Sequence, residues 1–81
     1  PGPDLRAVLE EETALLRDRL LAYSEPVAGA AAPHLASALM TIYAGTLALM
    51  LREPYEDALE EGRRAAEMLV RSYRVARERA V

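Results

Sequence analysis

Hydrophobic side chains recur at helical intervals in three separate stretches of this chain, and no stretch alternates with the period of a strand. In the first stretch Leu5, Val8, Leu9, Leu16, Leu20 and Tyr23 form the stripe, Leu15 lies beside it, and Glu12 is its one charged interruption. Asp4 stands where an N-cap belongs. Glu10, Glu11, Arg17, Asp18 and Arg19 fill the other faces, with acids crowding the first half as the helix dipole prefers. The pattern predicts a first helix over about residues 4–24.

Residues 25–33 read as a connector. Pro26 and Pro33 disfavour helix in the residues before them, and Gly29 adds freedom, although the alanines between admit a short helical turn. A second helix is expected from Pro33 or His34 to about Arg52. Residues 35–51 carry no charge, and apolar side chains occupy nearly every face: Leu35, Leu39, Met40, Ile42, Tyr43, Leu47, Leu49, Met50 and Leu51. Such a helix is buried on most sides. It is slightly short for a membrane span and carries Ser37, Thr41 and Thr46, so the expectation is the central helix of a bundle. Ser37, Thr41, Ala44, Gly45 and Ala48 give it a small-residue face for a neighbouring helix or a second copy.

Pro54 suits the first turn of a third helix, expected over about residues 54–79. Tyr55, Leu59, Gly62, Ala66, Leu69, Tyr73, Ala76 and Ala80 step by fours and threes, the coiled-coil period. Acids lead this helix and arginines end it, which complements its dipole, and Glu60–Arg64 and Glu67–Arg71 are spaced as favourable pairs. The fold expected is all-α: three helices in an antiparallel bundle.

With 81 residues the chain is a single domain that buries a limited share of its surface. It has no cysteine, so neither a disulfide nor thiolate–metal bonds supplement packing. Pairing with a second copy is the expected supplement, because helices 1 and 3 of one chain do not fully cover helix 2. The net charge of −3 argues against a generic nucleic-acid binder. All ten cations are arginine, a bias typical of GC-rich bacterial coding. Pro1, Gly2 and Pro3 read as a scar or disordered start of a domain excised from a larger protein, and the cytoplasm is the expected location.

Candidate chemistry is sparse. His34 is the only histidine; with no second His or Cys it makes no metal site, and its chemical alternative is to accept a phosphoryl group. Ser24, Ser37 and Ser72 lie outside any nucleophile motif and read as caps or packed hydroxyls. The acids between Glu53 and Glu61 read as a solvated face, and Arg64, Arg71 and Arg74 lack interleaved aromatics for base stacking. Tyr43, Met40, Met50 and Met68 are read as core, with a ligand pocket as the alternative.

Two resemblances follow from these residues. The run from Leu39 to Leu47, the break at Pro54 and the acidic-to-apolar helix after it resemble the last two helices of TetR-type transcriptional regulators, over residues 35–73. That resemblance implies a hairpin that pairs with its copy in a four-helix interface, without a DNA-reading motif. Residues 34–79 are also similar to the dimerisation and phosphotransfer hairpin of histidine kinases, with His34, Thr41 and Gly45 at about that family's spacing. Leu35 stands where that family carries an acid and Leu39 where it carries proline, so this resemblance implies dimerisation more directly than phosphotransfer.

Both resemblances share a self-pairing hairpin. The function expected is a non-catalytic dimerisation or docking module of a bacterial regulatory or multi-domain protein, with no cofactor, metal, nucleic acid or membrane involved. Its interface is expected at Leu39, Tyr43, Leu47, Met50, Leu59, Leu69 and Tyr73. The alternatives are phosphotransfer through His34 and small-molecule sensing.

Overall fold

The computed structural model describes residues 4–80, so the expectation for residues 1–3 lies outside the described residues. The chain is an all-α, three-helix antiparallel bundle: α1 spans Leu5–Ala28, α2 spans Ala32–Leu49 and α3 spans Tyr55–Ala80. Each helix packs on the other two. The Asp4 carboxylate accepts from the Arg6 backbone N–H at 3.0 Å and caps α1 as its position in the sequence predicts.

The connector expected at residues 25–33 is instead mostly helix. α1 runs through Pro26 to Ala28, a single 3-10 turn covers Gly29–Ala31, and α2 follows at once. Helix tolerates Pro26 here because Pro26 and Ala22, whose carbonyl loses its partner, both lie on the exposed side where water can bond. The reversal comes at Gly29, whose φ of 57° and ψ of −124° suit glycine alone. Arg77, near the end of α3, locks this bend: its guanidinium donates to the Glu25 carbonyl at 3.2 Å and to the Pro26 carbonyl. Both oxygens belong to the last turn of α1, and the Glu25 carbonyl also accepts from the Gly29 backbone N–H. α2 ends three residues earlier than expected, at Leu49, in a turn where the Leu51 N–H donates to Ala48 O and the Arg52 N–H to Leu49 O.

The core sits at the bend end of the bundle. Val27, Ala28, Leu35 and Leu39 form its centre, with Leu20, Ala66, Leu69, Val70 and Tyr73 packed around it. Leu35 and Ser24 are wholly buried, and the Ser24 hydroxyl donates to the Leu20 carbonyl at 2.7 Å, so its polarity is satisfied within α1. At mid-bundle Gly62 of α3 meets the Thr46 side chain of α2; a Cβ on that glycine would lie 3.0 Å from the Thr46 methyl.

The other end of the bundle is open. The radius of gyration is 15.0 Å, against about 12 Å for a compact domain of this length. The chain exposes 6342 Å², roughly 1,500 Å² more than the scaling for a folded monomer of its mass allows. The helical run Leu5–Leu49 contains an 18-residue window of mean hydropathy 1.3, apolar enough by length and composition to cross a membrane, and 33% of that window is buried inside the protein.

Candidate functional site

Toward the open end residues 5–15 of α1 are exposed, and helix geometry explains why. On α2, Ala32, Ala36 and Leu39 are buried. Tyr43 and Leu47 continue the same face at later turns, yet they are 50% and 46% exposed. The reason lies on α1. On the face of buried Ser24 and half-buried Leu21, the preceding turns present Arg17, Thr13 and Glu10, all exposed. Polar side chains there give Tyr43 and Leu47 no apolar partner, so α1 departs from α2 as it runs back toward Asp4.

The apolar stripe of α1 packs on the core at Leu20 and is exposed at Leu5 and Leu9. Leu20 and Tyr23 line a cleft nearer the bend, beside Leu39 of α2 and Ala66, Glu67, Val70, Arg71 and Arg74 of α3. Farther out Leu16 is half-buried, while Leu9 and Leu5 are exposed. Leu59 of α3, on the helix face that carries half-buried Ala66 and Tyr73, is 40% exposed at the same end.

The seven residues expected at an interface therefore divide. Leu39, Leu69 and Tyr73 belong to the chain's own core. Tyr43, Leu47 and Leu59 are exposed at the open end, and Met50 is half-buried among them. The small-residue face of α2 is exposed along its whole length, and a Cβ on Gly45 would meet nothing within 4 Å. Within one chain it seats no helix among the described residues.

His34 is exposed near the start of α2. Met68 lines a shallow groove formed by α3 alone, away from Tyr43, Met40 and Met50, so the four residues of the pocket alternative do not converge. Among the described residues no cluster of His, Asp or Glu is arranged to hold a metal ion.

Charge is only partly segregated along the molecule, with Arg6 3.8 Å from Glu10 at the open end and Glu78 among the last arginines. Glu10, Glu11 and Glu12 of α1 lie at the open end together with Glu56, Asp57, Glu60 and Glu61 of α3. Arg71, Arg74, Arg77 and Arg79 lie toward the bend. Between these groups Arg63 bridges Glu60 and Glu67 at 2.6 Å each, and Arg64 lies 3.8 Å from Glu60. Glu67 thus pairs with Arg63, not with Arg71 as its spacing predicts. The hydrogen bond from Arg63 and its positive charge hold the Glu60 carboxyl below its ordinary value, and Glu60 in turn raises Arg63.

Two side chains with structural roles are not recognisable from sequence. Arg77 reads as one of several terminal arginines, and only the fold brings it to α1. Gly62 reads as a weak heptad position, while its use is to admit Thr46. No family model matches this chain, no curated protein matches it in sequence, and no solved structure matches it in fold.

Proposed function

We propose that this chain is a non-catalytic helical module for dimerisation or docking, part of a larger bacterial regulatory or multi-domain protein in the cytoplasm. The observation that carries the reading is the exposure of Tyr43 and Leu47 on a helix face whose earlier turns are core. A face half covered within the chain is one that a second surface completes, and large contiguous apolar exposure marks interaction sites. The excess exposed area supports the same reading. Burial of about 1,500 Å² on each of two copies would fall within the range of obligate homodimers. Both family resemblances imply the same self-pairing hairpin. Sedimentation of the wild-type chain and of Leu47→Glu tests it: a dimer that becomes monomeric on substitution supports the reading, and a wild-type monomer at high concentration opposes it.

A second reading is phosphotransfer through His34, favoured by the exposure of that ring. It predicts acid-labile phosphate on His34 in the presence of a cognate kinase domain and ATP, absent in His34→Ala.

A further inference from the structure

The cleft nearer the bend has an apolar floor. Leu39 of α2 is buried there, and Leu20 of α1 with Ala66 and Val70 of α3 is half-buried. Ala66 is the smallest side chain of the lining and leaves room between α1 and α3. Tyr23 of α1 forms one wall; Glu67, Arg71 and Arg74 of α3 form the other. The cleft has a volume of about 540 Å³, within the range of small-molecule sites. Its charges are unevenly engaged. The Glu67 carboxylate lies 2.6 Å from the Arg63 guanidinium, one turn toward the open end, so the pair that its spacing with Arg71 predicts is not made. Arg63 and Arg64 are both ion-paired, whereas Arg71 and Arg74 form no ion pair among the described residues. Three residues apart, Arg71 and Arg74 are neighbours on the surface of α3. From Ala66 to Arg74 the helix rises about 12 Å, and along that length the lining passes from apolar to cationic.

We propose that this cleft binds a small amphipathic carboxylate, with its apolar body on Leu20, Leu39, Ala66 and Val70 and its head on Arg71 and Arg74. The chemistry of the lining selects that class. The floor holds a hydrocarbon body by removing it from water. A guanidinium presents a planar fork of donors that matches a carboxylate, and here two such groups stand side by side without a partner. A neutral apolar molecule gains the floor alone. A small inorganic anion gains the arginines alone, in a place open to water where an ion pair contributes little. A molecule with both parts gains both. The site lies within one chain, so it does not depend on whether the chain pairs with a copy.

The probe is octanoate, kept below its micelle-forming concentration, with octanol and acetate as its two halves. Calorimetry and methyl NMR on the full chain follow binding. The proposal predicts one octanoate per chain and the largest shifts at the methyls of Leu20, Leu39, Ala66 and Val70. Octanol and acetate are each expected to bind at least about tenfold more weakly. Joint Arg71→Gln and Arg74→Gln substitution should weaken octanoate at least about tenfold and leave octanol unchanged. Both arginines are exposed, so the fold is retained, and circular dichroism checks it. Ala66→Leu is expected to fill the floor and to abolish binding of octanoate and octanol together. Equal binding of octanoate and octanol overturns the proposal, as does undiminished octanoate binding by the double arginine variant. Binding that does not saturate at one per chain, or shifts confined to other apolar residues such as Leu5, Leu9 and Leu51, also overturns it. Unshifted cleft methyls in a chain that light scattering shows to be dimeric overturn the ligand site and leave the dimerisation reading standing.

Discussion

Gly62 of α3 lies directly against the side chain of Thr46 of α2, so close that a Cβ on the glycine would stand 3.0 Å from the Thr46 methyl and nearer still to its hydroxyl. That hydroxyl is itself fixed, donating to the Ile42 carbonyl at 2.7 Å. The contact sets the approach of the two helices at mid-bundle. By propensity alone alanine would favour the helix over glycine by about 1 kcal/mol. Overpacking is the larger effect here, and Gly62→Ala is expected to destabilise by about 1–3 kcal/mol. Thermal unfolding checks the sign, and Thr46→Ala in the Gly62→Ala background should recover part of the loss. A raised melting temperature in the single variant would contradict the packing described.

The bend between α1 and α2 gives a second expectation. Gly29 holds φ at 57° with ψ at −124°, and an L-residue there costs roughly 1–3 kcal/mol. Gly29→Ala should destabilise by about that amount although its new Cβ meets the Arg77 Nε at an ordinary 3.5 Å. Arg77→Ala should cost less, about 0.5–1.5 kcal/mol, because water replaces part of what the guanidinium supplies to the Glu25 and Pro26 carbonyls. Denaturant titration measures both; amide exchange across residues 27–31 should quicken in each.

Much of this fold is legible from sequence. Asp4 marks the start of α1, and Pro54 marks the start of α3 because proline costs nothing in the turn that opens a helix. The uncharged run of α2 identifies the central helix. The reach of α1 through Pro26 is not legible, because helix propensity says nothing about which side of the helix a lost hydrogen bond will face. Nor is the splay of α1. It depends on Arg17, Thr13 and Glu10 sharing a face with Ser24, and that becomes decisive only once α2 lies beside it. Candidate interface residues are legible as apolar positions. Their division into core residues such as Leu39 and exposed residues such as Leu47 requires the three-dimensional path of α1.

Acid sensitivity is expected at one pair. The Glu60 carboxyl is held below its ordinary value, first by the hydrogen bond from Arg63 and then by that residue's charge. A carboxyl depressed in the folded state contributes stability above its unfolded value and loses that contribution as pH falls through the folded one. The pair is exposed, so its effect on stability is small. Carbon-detected NMR titration should place the Glu60 midpoint below the ordinary glutamate value, and Arg63→Gln should move it upward. An unchanged midpoint in that variant would contradict the assigned cause.

Core and surface positions of α2 should respond in opposite ways to truncation. Leu35 is wholly buried, and Leu35→Ala is expected to cost about 2–5 kcal/mol and to lower stability at every concentration. Leu47 is 46% exposed in one chain, so Leu47→Ala should lower stability mainly where the chain is dimeric. Melting curves at several concentrations separate the two behaviours.

Completion of the open end by a second copy of this chain is tested most directly by solution mass. Light scattering would follow the wild type and Leu47→Glu over a wide concentration range. An open end completed in this way predicts a dimer for the wild type and a folded or partly unfolded monomer for the variant, because an unpaired charge buried in the interface is costly. A wild-type chain that stays monomeric at the highest concentration, or a variant that keeps both dimeric mass and full helicity, would contradict it.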